Sequence, residues 1–262
     1  MRLLFLGDVV GKPGRRVVRA VLPALREEGR YDVVVANAEN AAGGFGLTPS
    51  VAAELFDAGV DFITLGNHAF ANREVMPLLD TEPRVLRPAN YPPGAPGRGQ
   101  VVFTLKGGLR LGVLNLLGRV FLEPLDDPFA LAERALPGLR EATPFVIVDF
   151  HAEATSEKIA FGWFADGLAS AVVGTHTHVQ TADERILPGG TGFITDVGMC
   201  GPTDGVLGVD RALVLHKFRA QLPVRFETAS GPSALAAVGL EFDTEGRAIW
   251  IGRLQVRPGE SD

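Results

Sequence analysis

Residues 2–40 read RLLFLGDVVGKPGRRVVRAVLPALREEGRYDVVVANAEN. Residues 2–6 are a short apolar run of strand type. Residues 14–28 come next as a helix, because Val17, Val18, Val21, Leu22 and Leu25 recur at helical spacing. Residues 32–36 are a second β-branched run. Strand, helix and strand in such quick succession form the repeating unit of an α/β fold.

The rest of the chain extends this pattern. Residues 49–58 predict a helix capped by Thr48 or Ser50, residues 61–65 a strand, and residues 72–79 a short helix. The Pro/Gly-rich stretch 87–99 reads as irregular loop. Strands at 101–105 and 109–114 flank a Lys106-Gly107-Gly108 turn and predict a hairpin. Helices are expected at 126–140, 156–166 and 210–221, and strands at 145–150, 170–173 and 192–195. A terminal hairpin is expected from 236–242 and 248–254. The hairpins imply mixed sheets with helices outside. No repeat or linker interrupts the pattern, so one domain spanning residues 1–262 is expected.

The chain has 262 residues, 46% of them hydrophobic and 21% charged, which excludes disordered and low-complexity classes. No apolar run is long enough to cross a bilayer. Asp8 interrupts the first apolar run before a signal-peptide core forms. The lone cysteine, Cys200, cannot make an internal disulfide and fits a reducing cytoplasm. A net charge of −6 argues against a general nucleic-acid coat.

The informative residues are those at which the strands end. Asp8, the pair Glu39-Asn40, the pair Asn67-His68, His151 and the run Thr175-His176-Thr177-His178 all fall at carboxyl ends of strands. Loops converge on that edge in α/β sheets, and ligands bind there. A single strand-end histidine is usually structural, but five such sites together call for one explanation. If residues 176–178 are extended, His176 and His178 face the same side. Carboxylates, amide oxygens and imidazoles without a thiolate form a set suited to Fe, Mn, Zn or Co. Seven ligands (Asp8, Glu39, Asn40, Asn67, His151, His176 and His178) are too many for one ion, so two are expected, with Glu39 as the bridge. Two divalent cations against two carboxylates leave net positive charge, which suits an anionic phosphodiester. His68 in an extended turn points its ring away from the ligands, leaving it to protonate a departing oxygen.

These residues resemble a known family. Gly7-Asp8, Gly66-Asn67-His68 and Gly174-Thr175-His176-Thr177-His178 are similar to the signature of calcineurin-like metallophosphoesterases. The phrases NAENAAGGFGLT, LRPANYPPGAPGRG, VDFHAEATSEKIAFGWFADG, GTHTHVQTAD and TDVGMCGP resemble the YmdB-like branch, from residue 1 to about 255. The resemblance implies a four-layer αββα sandwich of two mixed sheets and phosphodiesterase activity on 2′,3′-cyclic nucleotides. It places Asp8, Glu39, Asn40 and His178 on one ion, and Glu39, Asn67, His151 and His176 on the other. His68 becomes the proton donor, iron the expected metal with manganese or magnesium as alternatives, and self-assembly into a homo-oligomer is implied. RNA is a further target to consider, and no membrane partner is expected.

The chain departs from the wider pattern in three places. Asp8-Val9-Val10 stands where Asp-X-His is usual, Glu39-Asn40 where a second aspartate is usual, and Ala69-Phe70-Ala71 where the branch carries Thr-Trp-Asp. The last change removes polar support from His68. It makes a second function thinkable, a metal-containing regulatory module that binds nucleotide with little turnover. A di-metal hydrolase of a non-phosphate ester or amide is a third. Elsewhere, Gly43-Gly44-Phe45-Gly46 reads as tight turns with Phe45 packed. Arg15, Arg16, Arg19 and Arg26 read as a solvated helix face, and Cys200 as a packing residue.

Overall fold

The computed structural model describes residues 1–27, 29–105 and 107–258. The first strand, β1 (Arg2–Leu6), is apolar from Leu3 onward because both of its faces are covered there. Leu4 and Leu6 point into one core, Leu3 and Phe5 into another, as the two-residue period of a strand requires. The chain continues through β2 (Asp8–Val9), α1 (Gly11–Glu27), β3 (Val33–Asn37), α2 (Pro49–Asp57), β4 (Phe62–Thr64), α3 (Val75–Thr81) and β5 (Val85–Leu86). Its middle runs β6 (Gln100–Thr104), β7 (Arg110–Leu117), α4 (Pro128–Ala142), β8 (Val146–His151), α5 (Thr155–Phe164) and β9 (Ala171–Thr175). The last part is β10 (Arg185–Ile186), β11 (Gly192–Ile194), β12 (Met199–Pro202), α6 (Arg211–Ala220), β13 (Ser233–Phe242) and β14 (Ala248–Val256).

Among the described residues, eight strands form one sheet in the order β2-β12-β13-β1-β3-β4-β5, with β14 added on β13. Six form the other, β10-β11-β9-β8-β7-β6. In the first sheet β13 is antiparallel to its neighbours while β1, β3, β4 and β5 run parallel to the edge, and in the second a parallel centre has an antiparallel strand at each edge, so both are mixed. Three cores separate four layers. Val17, Leu22, Leu55 and Leu79 from α1, α2 and α3 pack on the outer face of the first sheet. Phe5, Val35, Ile147 and Val173 meet between the sheets. Leu136 and Phe161 from α4 and α5 cover the second sheet. This is the expected αββα sandwich. Among the described residues no helix is long and apolar enough to cross a membrane.

The differences from the expected elements have local causes. Helix α1 starts at Gly11 rather than residue 14, because Pro13 sits in the first turn, where no backbone N–H is needed. Its expected end at Glu28 and the turn residue Lys106 lie outside the described residues, as do residues 259–262 of the expected domain. Helix α3 begins at Val75 because the Asn72 side chain accepts the Glu74 N–H at 3.0 Å, holding a turn there. The α1 arginines are not simply solvated. Arg15 reaches Glu54 at 2.7 Å and the Ala41 carbonyl, and Arg26 pairs with Asp61. Cys200 is buried with its thiol on the Ala236 carbonyl, a packing role as expected.

Candidate metal centre

The carboxyl ends of β1, β3, β4, β8 and β9 bring every candidate residue to one edge. The oxygen-bearing residues Asp8, Glu39, Asn40 and Asn67 come from the first sheet and the three imidazoles from the second. Asp8, Glu39 and His151 are buried, and His176 and His178 nearly so. Beside them lies a cavity of about 410 Å³, lined by Glu39, Asn40, His68, His176 and His178 among others.

Two groupings are present. His151 Nε2 lies 3.1 Å from Glu39 Oε1, 3.1 Å from Asn67 Oδ1 and 3.0 Å from His176 Nδ1. His178 Nε2 lies 3.2 Å from Asn40 Oδ1 and 3.9 Å from Asp8 Oδ1. Backbone amides aim the carboxylates: His176 N–H donates to Asp8 Oδ2, and His68 N–H donates to Glu39 Oε2. A Cβ at Gly66 would overlap the His151 ring and the Glu39 carboxylate, so glycine is required there.

The outer hydrogen bonds decide what can sit between these atoms. Thr175 Oγ1 gives its proton to Asp149 and therefore accepts from His151 Nδ1–H, at 2.8 Å. His176 Nε2–H is held by Glu153 at 3.0 Å, and His178 Nδ1–H by the Leu207 carbonyl at 3.0 Å. Each ring thus has its proton on the far nitrogen and turns a lone pair toward its neighbours. Lone pairs facing oxygen atoms at this range repel unless a cation lies between them. Asp8 Oδ1 is one of three buried side-chain polar atoms without a hydrogen-bond partner among the described residues. The donor set fits metal ions.

In the absence of an ion, a proton balances the charge. Burial opposes ionisation of both Glu39 and His151, but their mutual attraction overrides it. Glu39 is pulled down to about 2, and His151 is raised to about 9. Burial and then the His151 charge push His176 down to about 3, and burial raises Asp8 to about 6. A metal must therefore displace the His151 proton. Affinity is expected to rise about tenfold per pH unit from pH 7 toward 9, where that one proton is lost. Titrations of manganese into chelator-treated protein at pH 7, 8 and 9 check this; a flat response would contradict it. The sign reverses for the metal-free fold. The His151 contribution to stability is complete below the ordinary imidazole pKa, near 6.5, and is lost as pH rises through about 9.

Two expected orientations are corrected. Residues 176–178 are not extended: His176 (φ 103°) and His178 (φ 65°) adopt left-handed backbone, which splits the rings between the two groupings. Strain of this kind is tolerated where surrounding contacts over-determine it, here the Asp8 carboxylate on His176 N–H. Residues 67–70 form a turn rather than an extended segment, closed by Ala69 N–H on the Gly66 carbonyl at 3.1 Å. The His68 ring consequently faces the same cavity as the ligands.

A family model described as YmdB-like protein matches residues 4–254. The chain belongs to the YmdB-like family. A Bacillus subtilis relative named 2′,3′-cyclic-nucleotide 2′-phosphodiesterase is 49% identical, over 98% of this chain and 97% of its own. The crystal structure of a hypothetical protein from Thermus thermophilus superposes with a TM-score of 0.93 at 45% identity, covering 98% of this chain and all of that one. A Mycoplasma pneumoniae phosphatase structure gives a TM-score of 0.92 at 34% identity, covering 98% and 93%. A 5′-nucleotidase precursor from Thermus thermophilus, at 14% identity and a TM-score of 0.58 over 98% of this chain and 54% of that one, shares the fold.

In this YmdB-like chain the structure adds residues that strand-end reading did not supply. Asp149 accepts from Thr64, Thr175 and Asn37. It stands two residues before His151 on the same strand face, and a charge inside an apolar strand was its available signal. Asp196 binds Lys158 at 2.6 Å and both the amide and hydroxyl of Thr177, fixing the His176–His178 turn. Asp149→Asn is expected to weaken metal affinity about 10- to 100-fold, because Thr175 no longer fixes the His151 tautomer. Calorimetric titration checks it, and an unchanged affinity would refute this role.

Proposed function

We propose that this chain is a metal-dependent phosphodiesterase acting on 2′,3′-cyclic nucleotides. The observation that carries the reading is the convergence of imidazole lone pairs and buried oxygens, including the orphaned Asp8 Oδ1, beside an accessible cavity. The name of the Bacillus subtilis relative supports the substrate class. Asp8, Glu39, Asn40 and His178 would hold one ion, and Glu39, Asn67, His151 and His176 the second, with Glu39 common to both. Bound ions of this kind polarise phosphoryl oxygens and acidify water.

The chain's own groups do the rest. Asn67 Nδ2 lies 3.4 Å from His68 Nε2 at the edge of the cavity. The protonated His68 ring gives one proton to the departing ribose oxygen and is left as neutral imidazole. The Phe45 ring contacts His68 edge-on, with centroids 4.9 Å apart, and supports its orientation. Apolar packing replaces polar support for the turn. Ala69 is buried, and Phe70 packs edge-on against Tyr91.

Purified protein loaded with iron or manganese is expected to hydrolyse both bis-p-nitrophenyl phosphate and 2′,3′-cyclic AMP, and to lose both activities on chelation. An acyl ester assayed alongside should not be turned over. Failure on both phosphodiesters would overturn the reading; nucleotide binding without turnover would indicate a regulatory module.

A further inference from the structure

A groove of about 760 Å³ adjoins the metal cavity, and Gly43 and Thr228 line both. Lys12 and Arg16 form its wall one helical turn apart on α1, and Arg257 and Ser230 complete it. Among the described residues no carboxylate lines this groove, although the chain as a whole carries a net charge of −6. The metal cavity differs, with Glu39, Glu153 and Glu227 in its walls. A small monoanion held at the metal centre gains nothing from the cationic groove. A substrate with a second phosphate does. Between the two spaces runs Gly43-Gly44-Phe45, and the Phe45 ring is 53% exposed on the cavity side. An exposed aromatic next to a cationic track is the combination that binds single-stranded nucleic acid, stacking a base while cations follow the backbone.

We propose that this groove is a backbone-phosphate subsite, so that the preferred substrate is the 2′,3′-cyclic-phosphate end of a single-stranded RNA fragment rather than a free mononucleotide. The proposal rests on the phosphodiesterase reading above. The terminal base stacks on Phe45, and the phosphates on its 5′ side lie against Lys12 and Arg16. Both side chains are exposed, so replacing them leaves the cores intact.

The test compares an RNA tetramer ending in a 2′,3′-cyclic phosphate with 2′,3′-cyclic AMP on the metal-loaded enzyme. Binding of a labelled tetramer ending in a 3′-phosphate is followed in parallel by fluorescence anisotropy. The tetramer KM is expected to be about tenfold lower than that of cyclic AMP. Two held phosphates give a log–log salt slope of roughly −1.4 for tetramer binding. The double variant K12A/R16A should erase the KM advantage and flatten the slope, with cyclic AMP kinetics unchanged. R134A, which removes an exposed charge on α4, should alter nothing. Turnover of cyclic AMP with no tetramer preference and no effect of K12A/R16A would overturn the groove and leave the phosphodiesterase reading standing. Salt-dependent tetramer binding lost in K12A/R16A, without turnover of either cyclic substrate, would uphold the groove and overturn that reading.

Discussion

Replacing Glu39 with alanine is expected to strip the centre of metal and to abolish turnover together. Glu39 presents Oε1 to His151 at 3.1 Å while Oε2 accepts the His68 amide at 2.9 Å, so one side chain joins the ligand cluster to the turn that carries His68. Of the Glu39, His151 and His176 cluster, it is the carboxylate member. Without it two imidazoles and an amide remain, and no charge offsets a divalent ion. Loss of the several kcal/mol that a bound metal contributes to a transition state corresponds to a rate drop on the order of 10³-fold or more. Elemental analysis beside the cyclic AMP assay measures both quantities. Retained metal with normal turnover in Glu39→Ala would eliminate the shared-ligand role.

His68→Ala is expected to separate the two quantities. Metal content should remain, because His68 borders the cavity without belonging to the Glu39, His151 and His176 cluster. The rate on 2′,3′-cyclic AMP should fall about 10²- to 10⁴-fold, the range ascribed to a positioned general acid. The rate on bis-p-nitrophenyl phosphate should fall far less, since p-nitrophenolate departs without protonation whereas a ribose alkoxide does not. Equal losses on the two substrates would point to a binding or structural role instead.

Much of this was legible in the sequence for a simple physical reason. Strands buried on both faces must be apolar, so a polar residue at the end of such a run is conspicuous, and Asp8, Asn67 and His151 stand out this way. The β-branched runs and the periodicity of α1 gave an α/β core with helices outside because burial dictates them, whereas the four-layer order came from the family resemblance. The short strands β2, β5, β10 and β12 were not readable. Two to four residues carry no period, and their pairing is set by distant partners such as Cys200 on Val9. The bend at His176 and His178 was hidden for a related reason. Its left-handed backbone is imposed by contacts with Asp8 and Asp196, far away in the chain. Asp149 was obscured because its strand otherwise reads as core, and Phe45 because a loop aromatic carries no signal of what it touches.

The division of donor types between the sheets has a consequence for assembly. Among the seven candidate ligands the oxygens stand on one layer and the ring nitrogens of His151, His176 and His178 on the other, so neither sheet by itself presents the mixed set. On the proposed ligand set, metal capture would wait until the two sheets have docked in correct alignment. Loading would then report on the last step of maturation, and metal held by the proposed set would act as a rivet across the seam.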